Sequence, residues 1–362
     1  MRIAFCAANY EGSGYHRIVA PALALRDCCG HEIAFVENST DSAFAAADVV
    51  VLQRQTNLGV LPVIKAAKAR GQRVLHEIDD LMHAPPSWAP EAKNLGSGRP
   101  AVAAFDRISA ACDGLIVSTV DLAHEYRHKA PTIAVAENGI EDHIALQFEP
   151  PCNGEPRREG EIRLGYAGAP NHGGDFAVVA RSIERVLRAR EHVKFVMVGG
   201  DLRPLIAREL WKRSEYWGGT GSKWPLRASD IGPLLPSVRW YQHVDRVELD
   251  VGIAPLAPLT FNRCKSALRL MEYGALGIPV VASRFGPFVR YERESPKSVW
   301  LAGDEREWET ALLRMIDDVG TRAMYARENR DAVLHRHLTS VTVEQWDRAI
   351  RQPAQSAACA AV

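Results

Sequence analysis

Short apolar runs alternate with amphipathic stretches along the first third of the chain. Arg2–Ala7 reads as a strand, and Glu11-Gly12-Ser13-Gly14 as a turn into a helix over Tyr15–Asp27. Ile33–Val36, the continuous apolar run Asp48–Leu52 and Arg73–His76 read as strands, with helical spacing over Val60–Arg70. Ala101–Ala111 and Asp121–His128 are helical in pattern, and Gly114–Ser118 and Thr132–Ala136 strand-like. Strands alternating with helices through short connections predict a parallel sheet covered on both faces.

Pro150–Pro156 interrupts this rhythm with linker composition, and the alternation then restarts. Arg163–Ala167, Lys194–Val198, Asp250–Ala254 and Pro279–Ala282 read as strands, Asp175–Arg190 and Ser266–Gly274 as helices. Residues 203–240 depart from the pattern and read as an inserted helix and loop, and Trp308–Arg351 is helical. The expectation is two α/β domains, 1–150 and 151–335. Residues 336–362 form a C-terminal helix free to pack back on the first domain, then a disordered tail over Pro353–Val362. A length of 362 residues agrees with two domains of roughly 100–200 residues each.

Composition narrows the function classes. Apolar residues make up 47% and charged residues 24%, which is enough apolar material for a core and excludes a wholly disordered chain. Lys+Arg and Asp+Glu both number 44, so no global charge drives binding to nucleic acid or acidic membrane, although local basic patches remain open. No apolar run reaches the ~18 residues of a membrane span. Met1–Cys6 reads as a strand rather than a signal peptide. The seven cysteines are scattered without a CxxC pair, which disfavours a disulfide framework or structural zinc and fits a reducing cytoplasm.

Two segments carry candidate chemistry. Gly12-Ser13-Gly14-Tyr15-His16-Arg17 joins the first strand to the first helix, where a glycine loop brings backbone close to a ligand and a helix N-terminus offers N–H groups to an anion. Arg17 would add a bidentate phosphate contact. The loop lacks the third glycine of GxGxxG and a Walker lysine, and glycines also simply make turns. In the second segment, Phe261–Ser283, Arg263 and Lys265 precede a helix whose N-cap is read as Ser266, and Glu272 lies near its end. Cations before a helix and a carboxylate near its end oppose the macrodipole. A bound anion at the start and a ligand hydroxyl at Glu272 would account for both; the alternative is a solvated charge run.

The second segment resembles the donor-binding signature of family 4 glycosyltransferases of the GT-B fold. The resemblance extends along the chain. Gly12–Arg17 is similar to the family's N-terminal glycine loop, Asp113–Thr119 to its "aD.vivsT" strand and Glu137-Asn138-Gly139-Ile140 to its "pNGi" turn. Leu164-Gly165-Tyr166-Ala167-Gly168 is similar to the strand opening its C-terminal domain, and Asp250–Leu256 to its "DvgiaPL" strand. The resemblance implies two Rossmann-like α/β domains facing each other across a cleft and a retaining, metal-independent transfer of a sugar from a nucleotide-diphosphate sugar. The donor would sit on the C-terminal domain, with Glu272 on the ribose hydroxyls and Arg263 and Lys265 neutralising the diphosphate. Donor contacts are expected at Gly12, Gly14, Arg17, Gly168, Cys264 and Ser266, and acceptor contacts at His16, Gln53 and Arg54.

The sequence departs from the family at two places. The first of the family's paired glutamates falls on Cys264, which bears on sugar identity and on activity itself. The loop Gly168–Asp175 lacks the family's Arg and Lys; His172 would take part of that role, with a pH-dependent charge. His76–Asp80 ends a strand facing the expected cleft, where Asp79 and Asp80 would orient sugar hydroxyls; Asp80 as an N-cap is the plainer alternative. The catalytic candidates are thus Asp79, Asp80, His172, Arg263 and Lys265, with no cofactor or metal expected and no general base identified. The acceptor stays open among a glycan, a lipid-linked sugar at a membrane surface, a small molecule, protein and a modified DNA base. Arg203, Arg208, Lys212, Arg213, Lys223 and Arg227 interleave with Trp211, Trp217 and Trp224, either to stack on sugars or bases or simply to pack inward. A nucleotide-sugar epimerase and a degenerate nucleotide-sugar-binding or glycan-binding protein are the competing readings.

Overall fold

The computed structural model describes residues 1–10, 12–148, 150, 152–169, 172–218 and 236–352. Lys223, Trp224 and Arg227 of the basic insertion, and the expected tail, lie outside the described residues.

Two six-stranded sheets organise the chain. The first comprises β1 (Arg2–Cys6), β2 (Glu32–Phe35), β3 (Val49–Gln53), β4 (Arg73–Ile78), β5 (Gly114–Val117) and β6 (Ile133–Val135) in the order β2-β1-β3-β4-β5-β6. The second comprises β7 (Ile162–Gly168), β8 (Val193–Gly199), β9 (Ser214–Gly218), β10 (Val251–Ala254), β11 (Val280–Ser283) and β12 (Trp300–Ala302) in the order β12-β11-β10-β7-β8-β9. Every pairing in both sheets is parallel. The central strands show why apolar runs rather than alternation marked them: all five positions of β3 are buried, because helices cover both faces. The edge strands β2, β6, β12 and β9 are only partly buried. β9 falls in the expected insertion, part of which therefore extends the second sheet.

The C-terminal helix Thr339–Arg351 returns to the first sheet, where Val343, Trp346, Ala349 and Ile350 share a core with Ile3, Phe5, Ile18 and Leu25. Two other helical expectations are corrected. Asp175–Arg190 is split into Gly173–Phe176 and Ala180–Ala189. The helix expected from Ser266 runs from Leu268 to Ala275, preceded by a separate turn, Thr260–Arg263.

That turn presses against the first domain. Cys264, 1% exposed, belongs to an apolar cluster with Ile78, Leu81, Phe105, Leu122 and Tyr126, and its carbonyl accepts a 2.7 Å hydrogen bond from Thr119 Oγ1. Both sheets change direction of strand order beside their first strand, between β1 and β3 and between β7 and β10. Ligand crevices of open parallel sheets form at such switch points, beyond the carboxyl ends of the strands. Here the two crevices face one another.

Candidate functional site

A cleft of about 720 Å³ lies between the two sheets, within the range of small-molecule sites. Its first wall is made by loops after β1, β4 and β6, contributing Ser13, His16, Asp79, Asp80 and Asn138. The opposite wall is built by loops after β7, β8 and β10 and by the segment 265–272.

Two donors, Arg269 and Trp240, meet the carboxylate of Glu272. Arg269 and Glu272 are one turn apart on the helix, with Nε 3.4 Å from Oε2. The other oxygen of Glu272 accepts from Trp240 Nε1 at 3.2 Å. Burial pushes the Glu272 carboxyl above its usual pKa, against the pull of Arg269. Burial also works against the Arg269 charge, but Tyr166 and Glu272 outweigh it and hold its pKa above the ordinary arginine value. The guanidinium lies 5.3 Å from the Tyr166 ring centroid, and a Cβ at Gly168 would stand 2.3 Å from Nη1, so Gly168 makes room for it. That Nη1 is buried and has no hydrogen-bond partner among the described residues.

Lys265 Nζ reaches across the cleft to Asp80 Oδ1 at 3.3 Å. Burial raises the cost of ionising Asp80, yet Lys265 and Arg54 more than offset it and its pKa is lowered. Burial dominates at Asp79, with Asp80 adding, and its pKa is raised. The pair thus divides into an ionised Asp80 and a more readily protonated Asp79 with a buried, unpartnered Oδ1. Among the described residues, no group of three or more His, Cys, Asp or Glu side chains is placed to hold a metal ion.

His172 lines the cleft, but not as a cation. Burial lowers its pKa, although Asp175 Oδ2 at 2.9 Å from Nδ1 pulls the other way. His16 is likewise neutral, lowered to about 4 by burial and by Arg17.

Several sequence expectations are corrected. Arg17 is fully buried and binds Glu77 Oε1, Ala136 O and Asn138 Oδ1 at 2.7, 2.6 and 2.9 Å, so it meets no ligand. Gly14 is small because the Asn9 carbonyl oxygen would stand 1.8 Å from a Cβ there, not because a ligand approaches. Gln53 is buried beneath the glycine loop, accepting from Ala8 N and donating to Ser13 O. Arg54 holds Ser13 Oγ at 3.2 Å, outside the cleft lining. Arg263 ends its short turn and pairs with Glu125 on the first domain at 2.8 Å, away from the cleft. A cation at the end of a helical turn also accords with the dipole rule it was thought to break. Cys264 faces the interdomain apolar cluster instead of a donor. Ser266 caps no helix; its hydroxyl oxygen accepts from Asn138 Nδ2 at 2.8 Å in the cleft wall.

Arg269, Trp240 and Asn138 were missed. The spacing of Arg269 and Glu272, three apart on a helix, was the available signal for the first. In the insertion, Arg203 lies over the rings of Trp211 and Tyr216 and pairs with Asp201, while Trp217 packs against the second-domain core.

No protein-family model and no curated protein sequence matches the chain. Solved structures do. Anabaena HepE in complex with UDP and glucose is 14% identical over 98% of this chain and 100% of its own, with a TM-score of 0.62. A glycosyltransferase from Rickettsia africae is 13% identical over 96% of this chain and 97% of its own, with a TM-score of 0.62. Sucrose-phosphate synthase from Thermosynechococcus elongatus is 15% identical over 97% and 98%, again with a TM-score of 0.62. The chain therefore has the two-domain GT-B fold. Among the described residues no helix is long and apolar enough to cross a membrane.

Proposed function

We propose that the chain is a glycosyltransferase that moves a sugar from a nucleoside diphosphate sugar to an acceptor hydroxyl. One observation carries this reading. Lys265, Ser266 and Arg269, all able to donate, line one wall of an interdomain cleft together with the carboxylate of Glu272. Two cations and a hydroxyl suit a diphosphate, and a carboxylate held by Trp240 and Arg269 suits the paired hydroxyls of a ribose. The HepE structure, which has this fold and carries UDP and glucose, lends the reading support.

In this reading the anomeric carbon–phosphate oxygen bond breaks as the carbon–acceptor oxygen bond forms on the same face of the sugar. The acceptor proton passes to the leaving phosphate. The negative charge that develops there is met by Lys265 and Arg269, which are fixed before the reaction begins. Arg269 reaches the end of β7, beside the loop that lacks the family's Arg and Lys. Neutral His172, with Nδ1 committed to Asp175, offers Nε2 as an acceptor to a sugar hydroxyl. Asp80 and Asp79 act from the opposite wall on sugar or acceptor hydroxyls. The transfer uses no metal ion and takes place in a reducing cytoplasm.

Calorimetric titration with UDP, GDP and ADP tests the donor site. Glu272→Ala is expected to weaken the preferred nucleotide by at least ~1 kcal/mol, and unchanged affinity rejects the assignment. Incubation with a panel of nucleotide sugars tests the reaction. Nucleotide released faster with acceptor supports transfer, an isomerised donor supports an epimerase, and binding with neither supports a degenerate binder.

A further inference from the structure

Arg17 was expected to touch a ligand and instead lies fully buried behind the cleft. We propose that it is a positioning residue: through Asn138 it compels the Ser266 hydroxyl to present its hydrogen, not a lone pair, to the bound donor. The inference rests on the nucleotide-sugar reading above.

The chain of bonds has only one polarity. A guanidinium donates and never accepts. Nη1 of Arg17 has two hydrogens, one on Ala136 O at 2.6 Å and one on Asn138 Oδ1 at 2.9 Å. The atom of Asn138 facing Arg17 is therefore its carbonyl oxygen, and its NH2 must face the other way. There Nδ2 lies 2.8 Å from Ser266 Oγ. An amide NH2 cannot accept, so Ser266 accepts, and its own O–H is left for another partner. No other described residue takes it, and Ser266 lines the cleft. Lys265 and the unpartnered Nη1 of Arg269 stand in the same wall. The Ser266 O–H thus joins two cations in one cleft wall, Lys265 and Arg269, and such a wall suits an acceptor-only group such as a diphosphate oxygen.

Arg17 cannot turn to release this polarity. Glu77 Oε1 holds Nε at 2.7 Å, and the guanidinium carbon lies 4.8 Å from the ring centroid of Trp346 on the C-terminal helix. The bond from Asn138 to Ser266 also crosses between the domains. A residue of the first domain thus sets how the second domain meets the donor.

Asn138→Asp reverses the chain without removing it. The carboxylate still accepts from Arg17, but it accepts from Ser266 as well and turns a lone pair of the hydroxyl toward the cleft. The expected result is a loss of UDP affinity of about tenfold or more, the scale of a hydrogen bond to a charged group. Ser266→Ala is expected to lose about tenfold. Asn138→Asp placed in the Ser266→Ala background should then add less than about twofold, because the hydroxyl it acts through is gone. A loss from Asn138→Asp that persists in full in that background is charge repulsion alone and overturns the proposal. Unchanged affinity in Ser266→Ala also overturns it, and that variant decides the matter if Asn138→Asp fails to fold. Inorganic pyrophosphate separates the two readings. If the wild type binds pyrophosphate but no nucleotide, the nucleotide-sugar reading fails and the same three variants, titrated with pyrophosphate, decide this one. Binding of neither overturns both.

Discussion

Nδ1 of His172 lies 2.9 Å from Asp175 Oδ2, and that contact decides which side of the imidazole the cleft meets. Asp175 is 2% exposed, and its Oδ1 already accepts from Ala257 N at 2.9 Å and from Asn262 Nδ2 at 2.6 Å. An acceptor-only partner fixes the hydrogen on Nδ1 and leaves a lone pair on Nε2. Asp175→Asn keeps its oxygen on Ala257 N and Asn262 Nδ2 and turns its NH2 to His172, whose Nδ1 then accepts while Nε2 carries the hydrogen. We expect a stability loss of only about 1 kcal/mol, from exchanging a charged acceptor for a neutral one. Turnover should fall about tenfold or more, with UDP affinity changed less than about twofold, because in the proposed reading the imidazole meets the sugar rather than the diphosphate. Denaturant titration and single-turnover rates with a competent donor check both halves. Equal loss of nucleotide affinity and rate would count against the assigned role.

The stability of the fold carries a pH signature. Burial lowers His76 to about 3, and burial with a neighbouring arginine lowers His16 and His337 to about 4, from 6.5. Unfolded, these three histidines take up protons below pH 6.5, so stability rises with pH up to that point and is lost below it. Two carboxyls act in the opposite sense. Burial raises Glu77 to about 7, despite Arg17, and Glu141 to about 8. Between pH 4.5 and 6.5 the folded form keeps their two protons while the unfolded form gains three on histidine. The balance is one proton, so these groups together lower stability by about 1.4 kcal/mol per pH unit on acidification. His76 accepts from Gln55 N at 3.0 Å and faces Ser109 Oγ at 2.8 Å, so protonation breaks the first bond. His76→Asn should be less stable at pH 7 yet flatten this slope by up to about 1.4 kcal/mol per unit. Urea midpoints at pH 7, 6 and 5 test it, and an unchanged slope would show that His76 does not carry this term.

The two arginines that changed places between sequence and structure show where sequence reading ended. Apolar runs marked most strands of both sheets because parallel strands buried on both faces need no alternation. The cleft loops were legible as Gly, Asp and Asn at strand ends. Arg17 was not, because the helix opens with a wide π turn over Tyr15–Val19 that breaks the 3.6-residue phase and turns Arg17 inward with Ile18 and Val19. Arg263 was assigned to the donor because one helix was read where the chain makes a turn, a break and a helix. Its partner Glu125 lies 138 residues away, a distance no local pattern encodes. β9 escaped because its residues, Ser214-Glu215-Tyr216-Trp217-Gly218, form no apolar run.

Cys264 gives a third prediction. The thiol is pushed up to about 12, first by burial and then by Glu125 and Asp121. It should resist alkylation by iodoacetamide in the folded protein while the exposed Cys28 reacts. Cys264→Glu would introduce the glutamate that the family resemblance places here, but into the apolar contact with Leu122 and Tyr126. A buried carboxylate without a partner costs about 3 kcal/mol or more, so the variant should lose stability without gaining turnover. A stable variant with increased turnover would show that this side chain reaches the donor after all.

Arg263 and Arg269 lie six positions apart in one segment but in different surroundings. Arg263 is about half exposed, 2.8 Å from Glu125 on the surface of the first domain. Exposed pairs of this kind contribute ~0–1 kcal/mol and weaken with salt. Arg269 faces the cleft, stacked on Tyr166 and paired with Glu272, with one nitrogen free of protein partners among the described residues. Arg263→Ala should therefore change UDP affinity by less than about twofold, with only a modest loss of stability that disappears in high salt. Arg269→Ala removes a charged donor from the diphosphate and should weaken UDP by about tenfold to a hundredfold. Arg269→Lys should recover only part of that loss, because an ammonium does not reproduce the planar fork or the stacking on Tyr166. The three variants titrated side by side, at low and high salt, test the assignment directly. A larger effect at Arg263 than at Arg269 would return the diphosphate to the position the sequence first suggested.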